Sequence, residues 1–285
     1  MKRRQLLSLC ASLGWLPAAQ AVNKPLRLIS IGGAVTELVY AMGQQQQLVG
    51  VDSSSLYPAA TKSLPQVGYA RTLTAEGLLS LAPDLIVATE DAGPPAVLRQ
   101  LEAAHVPLHV LRAEHRFEGL IRRTEQLGVL LNRQAEAAAL GQRLRADWAL
   151  AQDKVQKLRQ GQAAPRVLFV LSHSMSEIRI AGQDTAADAM LAYAGAVNAV
   201  QGVSGYKPLT PEAAIAAAPT VILCTDQGLA AAAGLDGLLK VPGLAQTPAG
   251  RERRVVSLDA LELLGFGPRL PQALTRLAQA MYRQA

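Results

Sequence analysis

The chain carries one segment twice. LTAEGLLSLAPDLIVAT, from Leu73 to Thr89, aligns without a gap on LTPEAAIAAAPTVILCT, from Leu209 to Thr225, with seven of the seventeen positions identical. Each copy has a Thr able to cap a helix, a Glu in the first turn, a short helix, Ala-Pro as its stop and then a buried strand. Gly68-Tyr69 and Gly205-Tyr206 stand just upstream, one residue out of register. A duplicated helix-strand unit of this kind predicts two related lobes.

Each half also opens on a strand-like apolar run, Leu26 to Ile31 and Val167 to Leu171. A small-residue loop and an amphipathic helix ending at Gly43 or Gly195 follow. Strands alternating with helices predict an α/β fold with largely parallel sheets. Between the halves, Gln134 to Gln160 has no Pro and only one Gly, with Leu140, Leu144, Trp148 and Val155 at helical spacing. That stretch predicts one connecting helix of about 40 Å. The expected organisation is a signal peptide over 1–21, an N-terminal α/β lobe over 22–132, the connecting helix over 133–160 and a C-terminal α/β lobe over 161–285. A stiff connector keeps the interlobe cleft nearly preformed, and ligand sites favour such clefts.

Lys2, Arg3 and Arg4 precede an apolar run from Leu6 to Leu16, and Ala19-Gln20-Ala21 supplies small residues for cleavage before Val22. This is the pattern of an export signal, too short to span a bilayer comfortably. Leu9 stands where a lipoprotein signal needs a small residue, which argues against acylation of Cys10. Both the general and the twin-arginine export routes stay open. Cleavage removes three of the 28 basic residues and none of the 22 acidic ones, so the formal charge falls from +6 to +3. With aromatic residues at 4% and no basic run interleaved with them, the composition argues against a nucleic-acid binder. The mature chain reads as a monomer without a membrane span. Its one remaining cysteine, Cys224, lies in an apolar run and reads as a buried, inert thiol.

Loops at the C-terminal ends of parallel strands face ligands in α/β folds, which draws attention to those holding Tyr69, His173 and Tyr206. Tyr69 taken alone is equally a rim residue with a wet hydroxyl. Arg71, two residues on, shifts the balance, because a fixed positive charge favours the phenolate form. A phenolate is a hard donor suited to ferric iron, and tyrosine is an axial ligand of haem in some proteins. His173, between Ser172 and Ser174, is either a ligand or a loop histidine bonded to backbone. His105 and His109 flank Pro107 at a helix-to-strand passage, and His115 begins a solvated helix with Arg116 and Glu118; their spacing makes no metal site. In Gly202-Val203-Ser204-Gly205 the second glycine comes one residue early for a nucleophile elbow, which leaves an exported serine hydrolase using Ser204 or Ser172 with His173 a remote alternative. Gly182-Gln183-Asp184-Thr185 opens a helix with Asp184 or Thr185 as its cap.

VGYARTLTAEGLLSL (Val67 to Leu81), AGQDTAADAMLAYAGAVNAV (Ala181 to Val200), GYKPLTPEA (Gly205 to Ala213) and LLGFGPR (Leu263 to Arg269) give the chain its likeness. It resembles the periplasmic haem-binding proteins of bacterial ABC haem importers, within the long-helix class of solute-binding proteins that also serves cobalamin and ferric siderophores. The resemblance covers essentially the whole mature chain and implies a non-enzymatic carrier. It implies ferric haem b held edge-in between the lobes, Tyr69 on the iron and Arg71 supporting the phenolate; His173 and Tyr206 are the candidates to meet the haem from the second lobe. Some members stack two haems and use a second-lobe histidine; Ser174-Met175 here replace the Gly-Gly that follows that histidine elsewhere. The resemblance further implies docking on the ABC permease and its ATPase complex through one surface acid per lobe, at Glu76 and Glu212. A cobalamin or ferric-siderophore carrier of the same fold is the runner-up.

Overall fold

The structure, a computed structural model, describes residues 25–174 and 177–282. The signal segment, Met175 and Ser176 lie outside the described residues.

In the first half, β1 (Leu28–Ile31), α1 (Gly33–Ala41), β2 (Leu48–Val51), α2 (Ala75–Leu79), β3 (Leu85–Ala88), α3 (Pro95–Ala103), β4 (Leu108–Val110) and α4 (Phe117–Leu130) follow one another. Their strands form a sheet in the order β2-β1-β3-β4, with every pairing parallel. The central strands β1 and β3 are buried at every residue, as strands covered by helices on both faces must be. Next comes α5, Gln134–Arg159, with Leu140, Leu144, Trp148 and Val155 all buried.

The second half contains β5 (Arg166–Ser174), β6 (Glu177–Ala181), α6 (Ala186–Tyr193), β7 (Val197–Asn198), β8 (Tyr206–Pro208), α7 (Pro211–Ala217), β9 (Val221–Thr225) and α8 (Asp226–Ala231). It ends with α9 (Gly234–Leu239), α10 (Pro248–Arg251), β10 (Val255–Leu258), α11 (Ala260–Leu264) and α12 (Leu270–Met281). The sheet order is β10-β9-β5-β6-β8, with β7 also pairing β5. Pairings of β5, β7, β9 and β10 are parallel; those of β6 are antiparallel.

The duplicated segment adopts the same structure twice. The Thr74 and Thr210 hydroxyls accept from the Gly77 and Ala213 amides, both at 3.2 Å. Leu78 and the equivalent Ala214 are fully buried. Ala82 and Ala218, each before a proline, both turn left-handed at φ 42. A following proline disfavours the right-handed helical region, so α7 stops at Ala218 and the turn after α2 stops at Ala82, despite a strain of about 1 kcal/mol for a non-glycine residue.

Three local expectations are corrected. The strand expected over Val167 to Leu171 continues to Ser174 and hairpins into β6, so His173 lies on a strand and β6 separates β5 from α6. The ladder partners supplied by β6 could not be read from β5 itself. Tyr206 likewise begins the edge strand β8, because Gly182 lets the backbones close: a Cβ there would run into the Val203 carbonyl oxygen. His115 precedes α4 instead of beginning it, at φ 51, with its ring tilted against Phe266 of the second half at 5.5 Å. Of the two caps considered for α6, Thr185 is the one used, accepting from the Asp188 amide at 3.1 Å.

One apolar core runs through α4, α5 and α12 from the first sheet to the second. Trp148 sits at its centre, stacked on Phe117 at 4.7 Å and edge-on to Tyr193 at 4.8 Å. The Phe117 amide donates to the Tyr193 hydroxyl at 3.1 Å. Cys224 is buried in β9 as expected, and burial pushes its thiol up to about 12.

Candidate functional site between the lobes

Tyr69 sits on a segment fastened along its length. Gln66 bridges Val51, the Ser53 amide donates to the Gly68 carbonyl at 2.8 Å, and the Gly93 amide donates to the Ala70 carbonyl at 2.9 Å. Val67, Ala70 and Leu73 fill the core beneath, while Tyr69 points outward, 43% exposed. Burying every third residue while hydrogen bonds fix the backbone presents the phenol on a rigid support.

Arg71 donates to Asp91 at 3.0 Å. Burial works against the guanidinium, but Asp91 and then the phenols of Tyr69 and Tyr206 outweigh it and hold Arg71 above its usual value. Asp91 belongs to the turn after β3, anchored by its neighbour Glu90. The Glu90 carboxylate takes Arg123 at 2.6 Å and the Ala113 and Glu114 amides at 3.1 and 3.3 Å. Burial raises Glu90, yet Arg123 and the amides hold it below the usual carboxylate range.

From the second lobe, Tyr206 comes within electrostatic reach of this group. Its ring packs edge-on to Phe169 at 6.5 Å. Burial, with Asp91 adding, pushes its phenol up to about 12 against the pull of Arg71 and the Ala187 amide. Arg71 therefore interacts electrostatically with an exposed phenol of one lobe and a largely buried one of the other. The largely buried phenol of Tyr206 stays protonated and can donate a hydrogen bond. The His173 side chain lies outside the described part. Glu76 and Glu212 are exposed in the first turns of α2 and α7.

The lobes meet again around Arg269, whose assignment sequence reasoning missed although LLGFGPR contains it. Its guanidinium donates to Glu37 of α1 at 2.6 Å, reaches Asp259 at 3.4 Å and Glu262 at 3.5 Å, and lies 4.1 Å over the Tyr57 ring. Burial pushes Glu37 up against the pull of Arg269. Gly33 is required beside this junction, since a Cβ would meet the Leu261 side chain at 2.6 Å. Ser204, considered as a nucleophile, donates instead to Asp184 at 2.8 Å. Among the described residues no group of three or more His, Cys, Asp or Glu side chains is placed to hold a bare metal ion.

Two α/β lobes joined by one long helix, with convergent polar side chains between them, define a solute-binding protein with a rigid connector. The chain belongs to the periplasmic binding protein family, whose model matches residues 28–261. Among solved structures it is similar to the periplasmic heme-binding protein RhuT from Roseiflexus sp. RS-1, at 43% identity and a TM-score of 0.87, covering 91% of this chain and 98% of that one. It is also similar to the periplasmic heme-binding protein BhuT in complex with two hemes, at 49% identity and a TM-score of 0.85, covering 90% and 97%. A Bacillus subtilis (strain 168) relative, the ABC transporter substrate-binding lipoprotein YvrC, is 26% identical over 262 residues, which cover 91% of this chain and 81% of that protein. These relatives are binding proteins, not enzymes. No helix among the described residues is long and apolar enough to cross a membrane.

Proposed function

We propose that the chain captures ferric haem b edge-in between its lobes and delivers it to an ABC importer. Tyr69 ligates the iron as phenolate, Arg71 stabilises that anion, and Tyr206 closes on the ligand from the opposite lobe. The observation that supports this reading is Arg71 within electrostatic reach of a phenol from each lobe, in a chain similar to heme-binding proteins over 91% and 90% of its length. A cobalamin or ferric-siderophore carrier would not need that pair to meet a metal. Glu76 and Glu212 dock on the permease, His173 serves a second haem where one is bound, and residues 1–21 direct export. Titration of the purified protein with hemin tests the reading: a ferric tyrosinate band is expected, and an unshifted spectrum overturns it in favour of another cargo.

A further inference from the structure

Leu79 and Ile215 are exposed, at 36% and 48%, and they occupy the same position in the internal repeat. Each stands three residues after an exposed glutamate, Glu76 or Glu212, so acid and aliphatic side chain share one helix face. A solitary exposed aliphatic residue needs no explanation. Two at matched positions do, the more so because α7 consists of Pro211, Glu212, Ile215 and otherwise alanine. Neither helix formation nor the core asks for an isoleucine there: the buried positions of α7 are Ala214 and Ala217.

We infer that Glu76 with Leu79, and Glu212 with Ile215, form two equivalent acid-and-apolar anchors for a partner built of two equivalent halves, each offering a cation beside an apolar pocket. The partner is the permease, so the inference rests on the docking role proposed above and adds the apolar half of each contact. Helices α2 and α7 begin six and five residues after Tyr69 and Tyr206, which keeps each anchor within ten residues of its own lobe's cleft tyrosine. There the acids give direction and approach rate, and the aliphatic side chains hold the complex once water is expelled.

The test uses the full mature chain loaded with hemin and the ABC permease-ATPase complex in nanodiscs, with docking measured at about 0.15 M and about 0.5 M salt. Leu79→Ala with Ile215→Ala should weaken docking by roughly tenfold for each side chain at both salt concentrations. Hemin titration and melting temperature should not change, since alanine suits both helices. Glu76→Gln with Glu212→Gln should weaken docking mainly at low salt. If the glutamate pair weakens docking and the alanine pair does not, the apolar anchors are wrong while the docking role stands. If neither pair weakens it, the docking role itself falls.

Discussion

At the scale of single residues, the site depends on where charge is tolerated. Arg71 is held as a cation by Asp91, within electrostatic reach of Tyr69, so under the proposed function the charge that would support an iron-bound phenolate is in place ahead of ligand binding. Tyr69→Phe keeps the ring and removes the donor oxygen, so the ferric tyrosinate band should vanish from hemin titrations; an unchanged spectrum would move the ligand elsewhere. Arg71→Ala should weaken hemin binding by roughly tenfold. Binding should then strengthen as pH rises, because the phenol must give up its proton without help from a cation. Glu90 shows the same logic in stability. Its folded-state value lies below 4.5, so its stabilisation is present above the unfolded value and is lost as pH falls through the folded one. Glu90→Gln leaves Arg123, which is 2% exposed, without its paired carboxylate, and should cost about 3 kcal/mol at neutral pH. Urea denaturation from pH 7 to pH 3 should show the wild-type advantage shrinking below about pH 4.5.

At the scale of elements, the two lobes present their tyrosines differently. Tyr69 stands on a loop strapped to the first sheet; Tyr206 begins a strand paired to β6. The β5–β6 hairpin that carries His173 has no counterpart among the described strands of the first lobe, whose sheet is wholly parallel. Under the proposed function Tyr69 is the first ligand and the hairpin serves a second haem, for which a neutral imidazole is a suitable donor. His173→Ala should therefore keep one equivalent of hemin with its tyrosinate band and abolish any second. Absorbance titration with native mass spectrometry decides it: loss of the first equivalent would reverse the roles of the lobes.

At the scale of the molecule, α5 is less a tether than a wall of a shared core. Trp148 touches Phe117 from one side of the connector and Tyr193 from the other, and Arg269 clamps α11 to α1. Such a molecule unfolds as one body and resists wide opening of its cleft. Trp148→Ala should cost about 3 to 5 kcal/mol, the range for deleting a large buried aromatic. Far-UV circular dichroism in urea should show a single transition moved to lower denaturant; two separated transitions would mean that the lobes hold their own cores.

The repeat made the two lobes, the matched helices α2 and α7 and the strands β3 and β9 legible in the order of residues alone, because caps, stops and apolar runs act over a few chain neighbours. The apolar spacing of Leu140, Leu144, Trp148 and Val155 marked the connector for the same reason, and Tyr69 with Arg71 stood out as neighbours in the chain. The hairpin after β5 and the strand at Tyr206 were not legible, since each depends on hydrogen bonds from a segment that is itself unremarkable. Nor was the approach of Tyr206 to Arg71, or of Arg269 to Glu37, 232 residues apart. Local sequence determines which segments become helix or strand. Which charges meet across the cleft depends on how two finished lobes pack, and burial then decides which of those charges persist.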